Sequence, residues 1–419
     1  MIKHPIIHLD GDAFFAACEI AKNPRLRGKA VVVGEDKGIA TAMSYEAKRM
    51  GISRGMPVFQ IRKLFPQAIV LPSDFDTYRR FSKRVMSIVR RHIARVEDYS
   101  VDECFADMSE KFSSDSYDIV ARRIKTEIEA SLGITFSVGV AETKVLAKLA
   151  SKREKPAGFT ILEPGVDGSS VREYLAQIPV GSVWGIGTET SIMLRRHGIE
   201  TAGQLAALSR DRVEQSFSLP VIEIWNELNG RAVFRVTKPE EMEQRKSIQD
   251  TRSFRPPTSD RRFLFAELSH HAEEVCQRAR IEGLVGSRVS FFLRTRGREY
   301  VRSEFNLDRP TSLPTEILPQ IARHLDGFGG KAGVYSSGMV YKSAGVVLSG
   351  LRPAGIVQED LFGESERMNI GDTIYRSVDA MNKRFGDRTI MLASSIGGRK
   401  ERPIFLGETL PLPYLGEVF

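Results

Sequence analysis

The sequence predicts an α+β protein with several domains, and three observations lead to that class. The chain has 419 residues, whereas a single domain usually contains about 100–200. Before residue 165, short apolar runs typical of strands alternate with segments of helical periodicity. Residues 171–208 are helical with short, glycine-marked turns, and residues 246–352 combine helices with strands.

The N-terminal elements follow one another in a simple order. The apolar run Ile6–Leu9 predicts a buried strand, and the helix predicted over Ala13–Ile20 ends at Asn23-Pro24. The further strands predicted here are Ala30–Val33, Tyr99–Met108 and Ile134–Val140, and the further helices are Ser44–Met50, Thr77–Arg95, Asp118–Leu132 and Lys144–Ser151. Because the strands Ile6–Leu9 and Tyr99–Met108 stand about ninety positions apart, one α+β domain with a long insertion fits this layout.

The C-terminal part begins after a charged stretch, Pro239–Arg245, which we interpret as a linker. Beyond it the sequence predicts helices over Leu264–Glu282 and Thr315–Leu325 and strands over Arg288–Arg296 and Tyr300–Asn306. The residues that follow Arg352 are predicted to form a tail.

Charge and composition narrow the class of partner. The formal net charge is +8, and residues 245–352 contain 18 Lys and Arg against 11 Asp and Glu, an excess of seven. This distribution favours a polyanion such as nucleic acid, although a solvated basic face explains composition equally well. No apolar run approaches the ~20 residues of a membrane helix, and the three cysteines lack the spacing of a zinc site or disulfide framework. We therefore expect a cytoplasmic protein that is not bound to a membrane.

Three carboxylates stand at strand ends. Asp10 follows the first predicted strand, and Asp102-Glu103 interrupts another. Such a set suits divalent cations in phosphoryl transfer, because two Mg²⁺ ions about 4 Å apart stabilise charge on the attacking and leaving oxygens. Adjacent strand residues face opposite ways, so a turn or bulge at Asp102-Glu103 is implied. The alternative is that Asp102 and Glu103 form a surface turn and Asp10 caps a helix.

The sequence around these carboxylates resembles that of the Y family of translesion DNA polymerases. Asp10-Gly11-Asp12-Ala13-Phe14-Phe15 is similar to the first motif of that family, and Ser100-Val101-Asp102-Glu103 to the second. Further matching stretches follow in the same order, namely Ser44-Tyr45-Glu46-Ala47-Lys48, Gly139-Val140, Lys144–Ser151, Lys155-Pro156 and Val183-Trp184-Gly185-Ile186-Gly187.

The resemblance implies an activity and a set of metal ligands. The protein would extend a primer with dNTPs on a DNA template, with low fidelity, past damaged bases. Two Mg²⁺ ions would be bound by Asp10, Asp102, Glu103 and the carbonyl of Gly11. Asp12 would not contact the ions but would lie next to their ligands.

It also implies nucleotide contacts. Phe14 and Phe15 are both expected at the nucleotide-binding site. Phe15 stands at the position of the steric gate, whose ring excludes a 2′-hydroxyl, whereas Phe14 is the one of the two that better suits a core role. Tyr45, Lys48 and Lys155 match positions that contact the triphosphate. The family usually has arginine where Lys48 stands, and lysine loses the bidentate grip.

Two regions are expected to bind primer–template DNA. Residues 184–205 resemble a helix-hairpin-helix, in which Gly185 and Gly187 would let backbone N–H groups approach a phosphate. In the strand over residues 289–297, the apolar side chains should face helices while Arg294 and Arg296, followed by Arg298, face the DNA backbone. A basic edge that discourages aggregation is the competing explanation for these arginines.

The implied fold is the right-hand arrangement of α+β palm, fingers, helical thumb and α+β little finger. We predict the palm over residues 1–13 and 74–165, fingers over 14–73, thumb over 166–238, linker over 239–245, little finger over 246–352 and tail over 353–419. The pentapeptide Gln358–Phe362 resembles a sliding-clamp motif, with Gln358, Leu361 and Phe362 as its contacts. Residues 372–385 and 391–394 resemble the UmuC branch, whereas the N-terminal motifs are closer to DinB, so the branch stays open.

Two alternatives to a monomeric polymerase remain at this point. A catalytically inactive member of the family could act as an adaptor at the clamp, although the complete carboxylate set argues against it. A DNA-binding module without chemistry would leave the triphosphate residues unexplained.

Overall fold

A computed structural model describes residues 2, 4–36, 38–109, 116–163, 169–241, 245–327, 329–330, 332–355, 364–386 and 388–397. The chain divides into two compact units, with the division between Met242 and Glu243, inside the segment predicted to be the linker. No helix in the described ranges combines the length and the apolar character needed to cross a membrane. The multidomain α+β class is confirmed, whereas the finer domain boundaries stay predictions.

A five-stranded sheet forms the centre of the first unit, in the order β5-β6-β1-β7-β8. Its strands are β1 (Ile6–Gly11), β5 (Arg95–Asp98), β6 (Glu103–Asp107), β7 (Phe136–Ala141) and β8 (Phe159–Ile161). The helices packed on it are α1 (Phe14–Lys22), α4 (Phe75–His92), α5 (Tyr117–Leu132) and α6 (Lys144–Arg153). Successive side chains of β1 point to opposite faces of the sheet. Ile7 and Leu9 therefore pack in one core with α1, α4 and α5, whereas Ile6 packs in a second core with α6.

The insertion after α1 and the helical region complete this unit. The insertion contains the sheet β3-β2-β4, built from β2 (Val31–Gly34), β3 (Ala40–Met43) and β4 (Ile69–Leu71), with helices α2 (Tyr45–Arg49) and α3 (Val58–Leu64). The helical region contains α7 (Ser169–Ala176), α8 (Thr188–Arg196), α9 (Ala202–Ala206), α10 (Arg210–Ser216) and α11 (Leu219–Leu228). Its apolar residues share one core with α6, so helix α6 belongs to two layers at once.

The second unit is an antiparallel sheet covered by helices. Its strands lie in the order β11-β10-β12-β9, with β9 (Ser247–Thr258), β10 (Leu284–Thr295), β11 (Tyr300–Thr311) and β12 (Tyr341–Pro353). The helices of this unit are α12 (Arg261–Ile281), α13 (Pro314–Asp326) and α14 (Glu364–Phe385). Val289, Phe291 and Leu293 are buried among residues of α12 and α13, as the alternation predicts.

Several predicted elements need correction. The helix predicted to end at Arg95 ends at His92, and Arg95–Asp98 forms strand β5. The strand predicted from Tyr99 begins only at Glu103, because residues 99–102 form the turn between β5 and β6. The sequence interpretation also missed strands β9 and β12, whose pairing partners are distant in the chain.

The stretch after Pro353 is not a simple tail. Arg280 on α12 donates two hydrogen bonds to Asp379 on α14, at 2.7 and 2.9 Å. The backbone N–H of Leu392 donates to Glu273 at 2.7 Å. Part of the C-terminal stretch is therefore packed on helix α12. The predicted clamp residues Gln358, Leu361 and Phe362 lie outside the described residues.

Candidate active site

The β1–β6 pair brings the three predicted carboxylates to one end of the palm sheet. Asp10 is the direct antiparallel partner of Glu103. The N–H of Gly11 donates to the carbonyl of Asp102 at 2.9 Å, which fixes the β5–β6 turn beside the end of β1. The turn implied at Asp102-Glu103 is therefore present, and it lets two adjacent residues approach one site.

Lysines neutralise two of these carboxylates. Lys155 donates to Asp10, and the Lys148 ammonium lies 2.5 Å from Oε2 of Glu103. Asp102 instead accepts a hydrogen bond of 2.7 Å from the Ser100 hydroxyl in its own turn. Within the described ranges, no three His, Cys, Asp or Glu side chains are arranged to hold a metal ion. The three carboxylates lie at the same end of the sheet. Their side chains, however, point to the two lysines and the serine rather than towards one common metal position.

The charges of the site show that it suits a cation. Burial, together with the nearby charges of Glu103 and Asp102, raises the pKa of Asp10 to about 6 despite the ion pair with Lys155. Burial also disfavours the charged form of Glu103, but the neighbouring His8 and Lys148 outweigh it and lower the pKa of Glu103 to about 2. Carboxylate oxygens are the ligands that Mg²⁺ prefers, and a divalent cation would relieve the repulsion that Asp10 experiences. The residues therefore fit a divalent metal.

Asp12 has a structural role behind this site. Its buried carboxylate accepts hydrogen bonds from the Ser137 hydroxyl at 2.8 Å and from the N–H of Ala157 at 2.7 Å. The second bond fixes the loop that follows Lys155. These bonds link the first motif to the Lys155-Pro156 stretch, and the role of Asp12 in supporting the metal ligands stays a prediction.

The predicted triphosphate residues lie close to Asp10 and Asp12. The hydroxyl of Tyr45 is 3.5 Å from Oδ1 of Asp12, and the Lys48 ammonium lies 4.2 Å above the Tyr45 ring. Burial and the positive charge of Lys155 lower the pKa of Lys48. Because Lys48 and Lys155 repel each other, an anionic ligand between the two ammonium groups would lower the energy of the site.

The two phenylalanines of the first motif separate into different environments. Phe14 is only 3% exposed and lies in the palm core. Phe15 is partly exposed, and its ring is stacked on Tyr78 with a centroid distance of 4.4 Å and an angle of 12°. Phe75 packs edge-on against it at 5.8 Å. Phe15 is therefore a ring held rigidly in place.

The sequence analysis missed two lysines on helix α6 that pair with carboxylates of the palm sheet. Lys144 and Lys148 are both buried, and Lys144 makes hydrogen bonds of 2.7 and 2.8 Å to Glu97. The rings of Tyr99, Phe105 and Trp184 surround Lys148, the nearest at 4.4 Å. The two lysines are four residues apart, which places them on one helix face. That spacing was the available signal.

The predicted DNA contacts occupy two separate surfaces. In the first unit, Gly185 has φ +91°, which favours glycine, and Gly187 is the N-cap of α8. In the second unit, Arg294 lies on β10, but the strand ends at Thr295, so Arg296 and Arg298 lie in the turn before β11. The predicted alternation through residue 298 is therefore wrong.

The outward face of β10 and β11 carries a different basic set. Arg288 and Arg294 are two register positions of that face on β10, and Arg302 is opposite Phe292 on β11. Arg294 lies 5.3 Å from the ring centroid of Tyr300, its direct cross-strand partner. Arg288, Arg294 and Arg302 are therefore the arginines of one face.

Comparison with known proteins now decides the family. The family models described as the impB/mucB/samB family and its C-terminal domain match residues 9–152 and 245–361. A DNA polymerase IV of Methanoculleus marisnigri is 34% identical over 74% of this chain and 86% of its own length. A second, from Streptomyces coelicolor, is 33% identical over 86% of this chain and 73% of its own length. The chain belongs to the Y family of DNA polymerases, of the DinB type.

Solved structures show the same fold. A chimera of the Y-family polymerases Dbh and Dpo4 superposes with a TM-score of 0.65 over 83% of this chain and 99% of its own, at 22% identity. An insertion ternary complex of Dbh DNA polymerase gives a TM-score of 0.55 over 82% and 98%. As a member of this family, the polymerase performs template-directed DNA synthesis in a translesion role and requires divalent metal ions.

Proposed function

We propose that this polymerase uses Asp10, Asp102 and Glu103, with the carbonyl of Gly11, to hold two Mg²⁺ ions. The observation that carries the proposal is the direct pairing of Asp10 with Glu103, with Asp102 hydrogen-bonded across to Gly11. When bound, the two cations would stabilise charge on the attacking 3′-oxygen and on the leaving pyrophosphate.

The surrounding side chains would bind and orient the nucleotide. Lys155 is 24% exposed in its side chain, so it can leave Asp10 for a phosphate when a cation neutralises that carboxylate. Tyr45 and Lys48 lie beside it, where a hydrogen-bond donor and a charge can reach the β- and γ-phosphates. The fixed ring of Phe15 would exclude a 2′-hydroxyl, because its stacking on Tyr78 leaves it no room to rotate away.

Both DNA surfaces would hold the phosphate backbone without reading sequence. Backbone N–H groups at the turn that contains Gly185 and Gly187 would contact one strand. On the second unit, Arg294 would act with Arg288 and Arg302 on the same face, and Arg296 and Arg298 would contact phosphates from the turn. Contacts of this kind predict strongly salt-dependent binding.

The remaining assignments concern partners and location. Gln358, Leu361 and Phe362 would bind a sliding clamp, since two apolar anchors with a glutamine at the edge suit a pocket in a partner protein. We also propose that the polymerase acts as a monomer in the cytoplasm.

Alanine substitution tests the metal assignment. Asp102→Ala or Glu103→Ala should lower primer extension by at least about 10³-fold, because each removes an interaction made in the transition state. Primer–template affinity should stay close to that of the wild type, because the proposed DNA contacts lie elsewhere. Asp107→Ala is a matched control, since Asp107 lies on the same strand as Glu103 but pairs with Ile6, at the other end of β1.

The outcomes separate the alternatives. Loss of extension with DNA binding retained supports the assignment. Substantial synthesis by either variant would remove it, and a wild-type protein that binds DNA without extending a primer would point to an inactive adaptor.

A further inference from the structure

The indole of Trp184 connects two turns of the first unit that are distant in sequence. One is the turn of residues 183–187, which leads into helix α8 and is called the glycine turn below. The other is the β5–β6 turn of residues 99–102, called the carboxylate turn. Nε1–H of Trp184 donates to the Tyr99 hydroxyl at 2.9 Å, across 85 positions of the chain. This side-chain pair therefore joins the two turns directly.

Aromatic rings fix the orientation of this indole. The rings of Trp184 and Tyr99 are perpendicular, with centroids 5.4 Å apart. Phe105 and Phe234 lie against the indole as well, each with a centroid distance of 5.6 Å. Perpendicular and tilted aromatic pairs at such distances are attractive beyond the area that they bury. The position of Trp184 is therefore coupled to that of Tyr99 by packing as well as by the hydrogen bond.

The ring on the far side of the indole is anchored to helix α6. The N–H of Phe234 donates to Oε1 of Glu227 at 2.8 Å, and Glu227 is fully buried. Oε2 of the same carboxylate accepts from the N–H of Val145, in the first turn of α6, at 3.1 Å. Because Phe234 is held in this way, a shift of the glycine turn moves Trp184 against Tyr99 rather than away from it.

The carboxylate turn transmits a movement of Tyr99 to Asp102. The Ser100 hydroxyl donates to Oδ1 of Asp102 at 2.7 Å, and the N–H of Ser100 donates to the carbonyl of Glu103 at 3.0 Å. A four-residue turn with these internal bonds moves as one piece. Displacement of Tyr99 at its start therefore displaces Asp102 at its end.

The glycine turn is open to a ligand on its other side. Gly185 and Gly187 are both exposed, and they directly follow the indole and precede helix α8. A duplex phosphate bound by backbone N–H groups at this turn would hold it in place. One residue then separates the held backbone from Trp184.

We propose that Trp184 is a positioning residue, which fixes the carboxylate turn relative to the bound primer–template. With DNA bound, the duplex holds the glycine turn, and Trp184 sets the position of Asp102 through Tyr99. In the protein alone no phosphate holds the glycine turn, so loss of the contact changes the metal site little. The inference rests on the proposed roles of Asp102 as a metal ligand and of the glycine turn as a phosphate contact.

The test compares Mn²⁺ affinity with and without DNA in the full-length polymerase. Bound Mn²⁺ is measured by electron paramagnetic resonance on the protein alone and on its complex with a dideoxy-terminated primer–template, after subtraction of the Mn²⁺ that the DNA binds by itself. No dNTP is added, so the measurement requires no turnover.

Three substitutions separate the contact from general effects on stability. Trp184→Phe removes the indole donor and Tyr99→Phe removes its acceptor, while both keep an aromatic ring. Trp225→Phe is the matched control, because it removes an indole hydrogen bond of 3.2 Å to the carbonyl of Leu208 in the helical region.

Trp184→Phe should weaken Mn²⁺ binding to the DNA complex about fivefold, the factor that corresponds to one hydrogen bond between neutral groups. In the protein alone, Mn²⁺ affinity should change by less than about twofold. Tyr99→Phe should behave in the same way, and the double variant should bind no more weakly than either single variant, because all three remove the same bond. Trp225→Phe should leave both Mn²⁺ affinities unchanged.

Linkage provides a second measurement. Primer–template affinity of Trp184→Phe should fall about threefold or more at saturating Mn²⁺ and should match the wild type without metal, because coupling between two ligands is reciprocal. Fluorescence anisotropy of a labelled primer–template measures both values. A residue with only a core role would change the Mn²⁺ affinity of the protein alone and of the DNA complex equally.

Equal effects with and without DNA would therefore overturn the inference, as would additive effects in the double variant. If Trp184→Phe does not fold, Tyr99→Phe decides alone, since it removes one oxygen from a side chain that is 42% exposed. Unchanged Mn²⁺ affinity of its DNA complex would refute the coupling. Wild-type Mn²⁺ binding by Asp102→Ala would instead refute the proposed metal ligand, which keeps the two failures apart.

Discussion

Replacing Gly139 with alanine should damage both stability and catalysis through helix α6. A Cβ atom at this position would lie 2.1 Å from the carbonyl oxygen of Ala147 and 2.3 Å from the backbone nitrogen of Ser151. Both are backbone atoms of α6 and cannot rotate away. Because carbon and oxygen approach no closer than about 3 Å, the helix would have to move by roughly 1 Å.

The magnitude follows from what α6 carries. Overpacking of a well-packed core costs about 1–3 kcal/mol. The displaced helix bears Lys148, the partner of Glu103, and leads into the loop of Lys155, the partner of Asp10. A misplacement of about 1 Å at a catalytic centre lowers the rate about 100-fold. Loss of turnover should therefore accompany the loss of stability.

Urea unfolding and single-turnover primer extension would measure the two effects. Gly338→Ala is a suitable control, because a Cβ atom at Gly338 meets no heavy atom within 4 Å among the described residues. A Gly139→Ala protein with the wild-type midpoint and the wild-type rate would refute the view that close packing of α6 sets the geometry of the site.

Three further predictions address the sugar filter, the buried carboxylate and the clamp motif. Phe15→Ala should raise ribonucleotide incorporation about tenfold or more by removing a steric overlap of a few kcal/mol, and unchanged discrimination would show that the filter lies elsewhere. Asp10→Asn should raise the free energy of unfolding of the metal-free protein at pH 7.5 by about 1–3 kcal/mol, because the pKa of Asp10 is raised to about 6 and its ionised form destabilises the fold. This gain in stability should shrink as the pH falls from 6 to 4. A loss of stability at pH 7.5 would contradict the prediction. Alanine at Gln358, Leu361 and Phe362 should weaken clamp binding about 100-fold in a pull-down while short-primer synthesis stays unchanged, and full clamp binding would withdraw the assignment.

The sequence by itself predicted features that depend on local patterns. The period-two alternation of Val289, Phe291 and Leu293 predicted which face of β10 is buried, and the structure confirms it. The presence of two adjacent acids on a strand required a turn at Asp102-Glu103, because neighbouring side chains on a strand cannot share a site. Motif order predicted the polymerase family, which the relatives confirm. Each of these inferences used either residues close together in the chain or the order of motifs along it, and both can be seen in the sequence alone.

Tertiary structure alone decided the features that depend on contacts between distant residues. Strand β12 was missed because it is a strand only by pairing with β9 and β10, which start far earlier in the chain. The partnership of His8 with Ser151 spans 143 positions and exists because Gly139 admits helix α6. No local propensity encodes such a contact, since the two residues meet only after the sheet has formed and the helix has packed on it. The sequence predicted the carboxylates of the site, whereas the packing of α6 determined which lysine side chains pair with them.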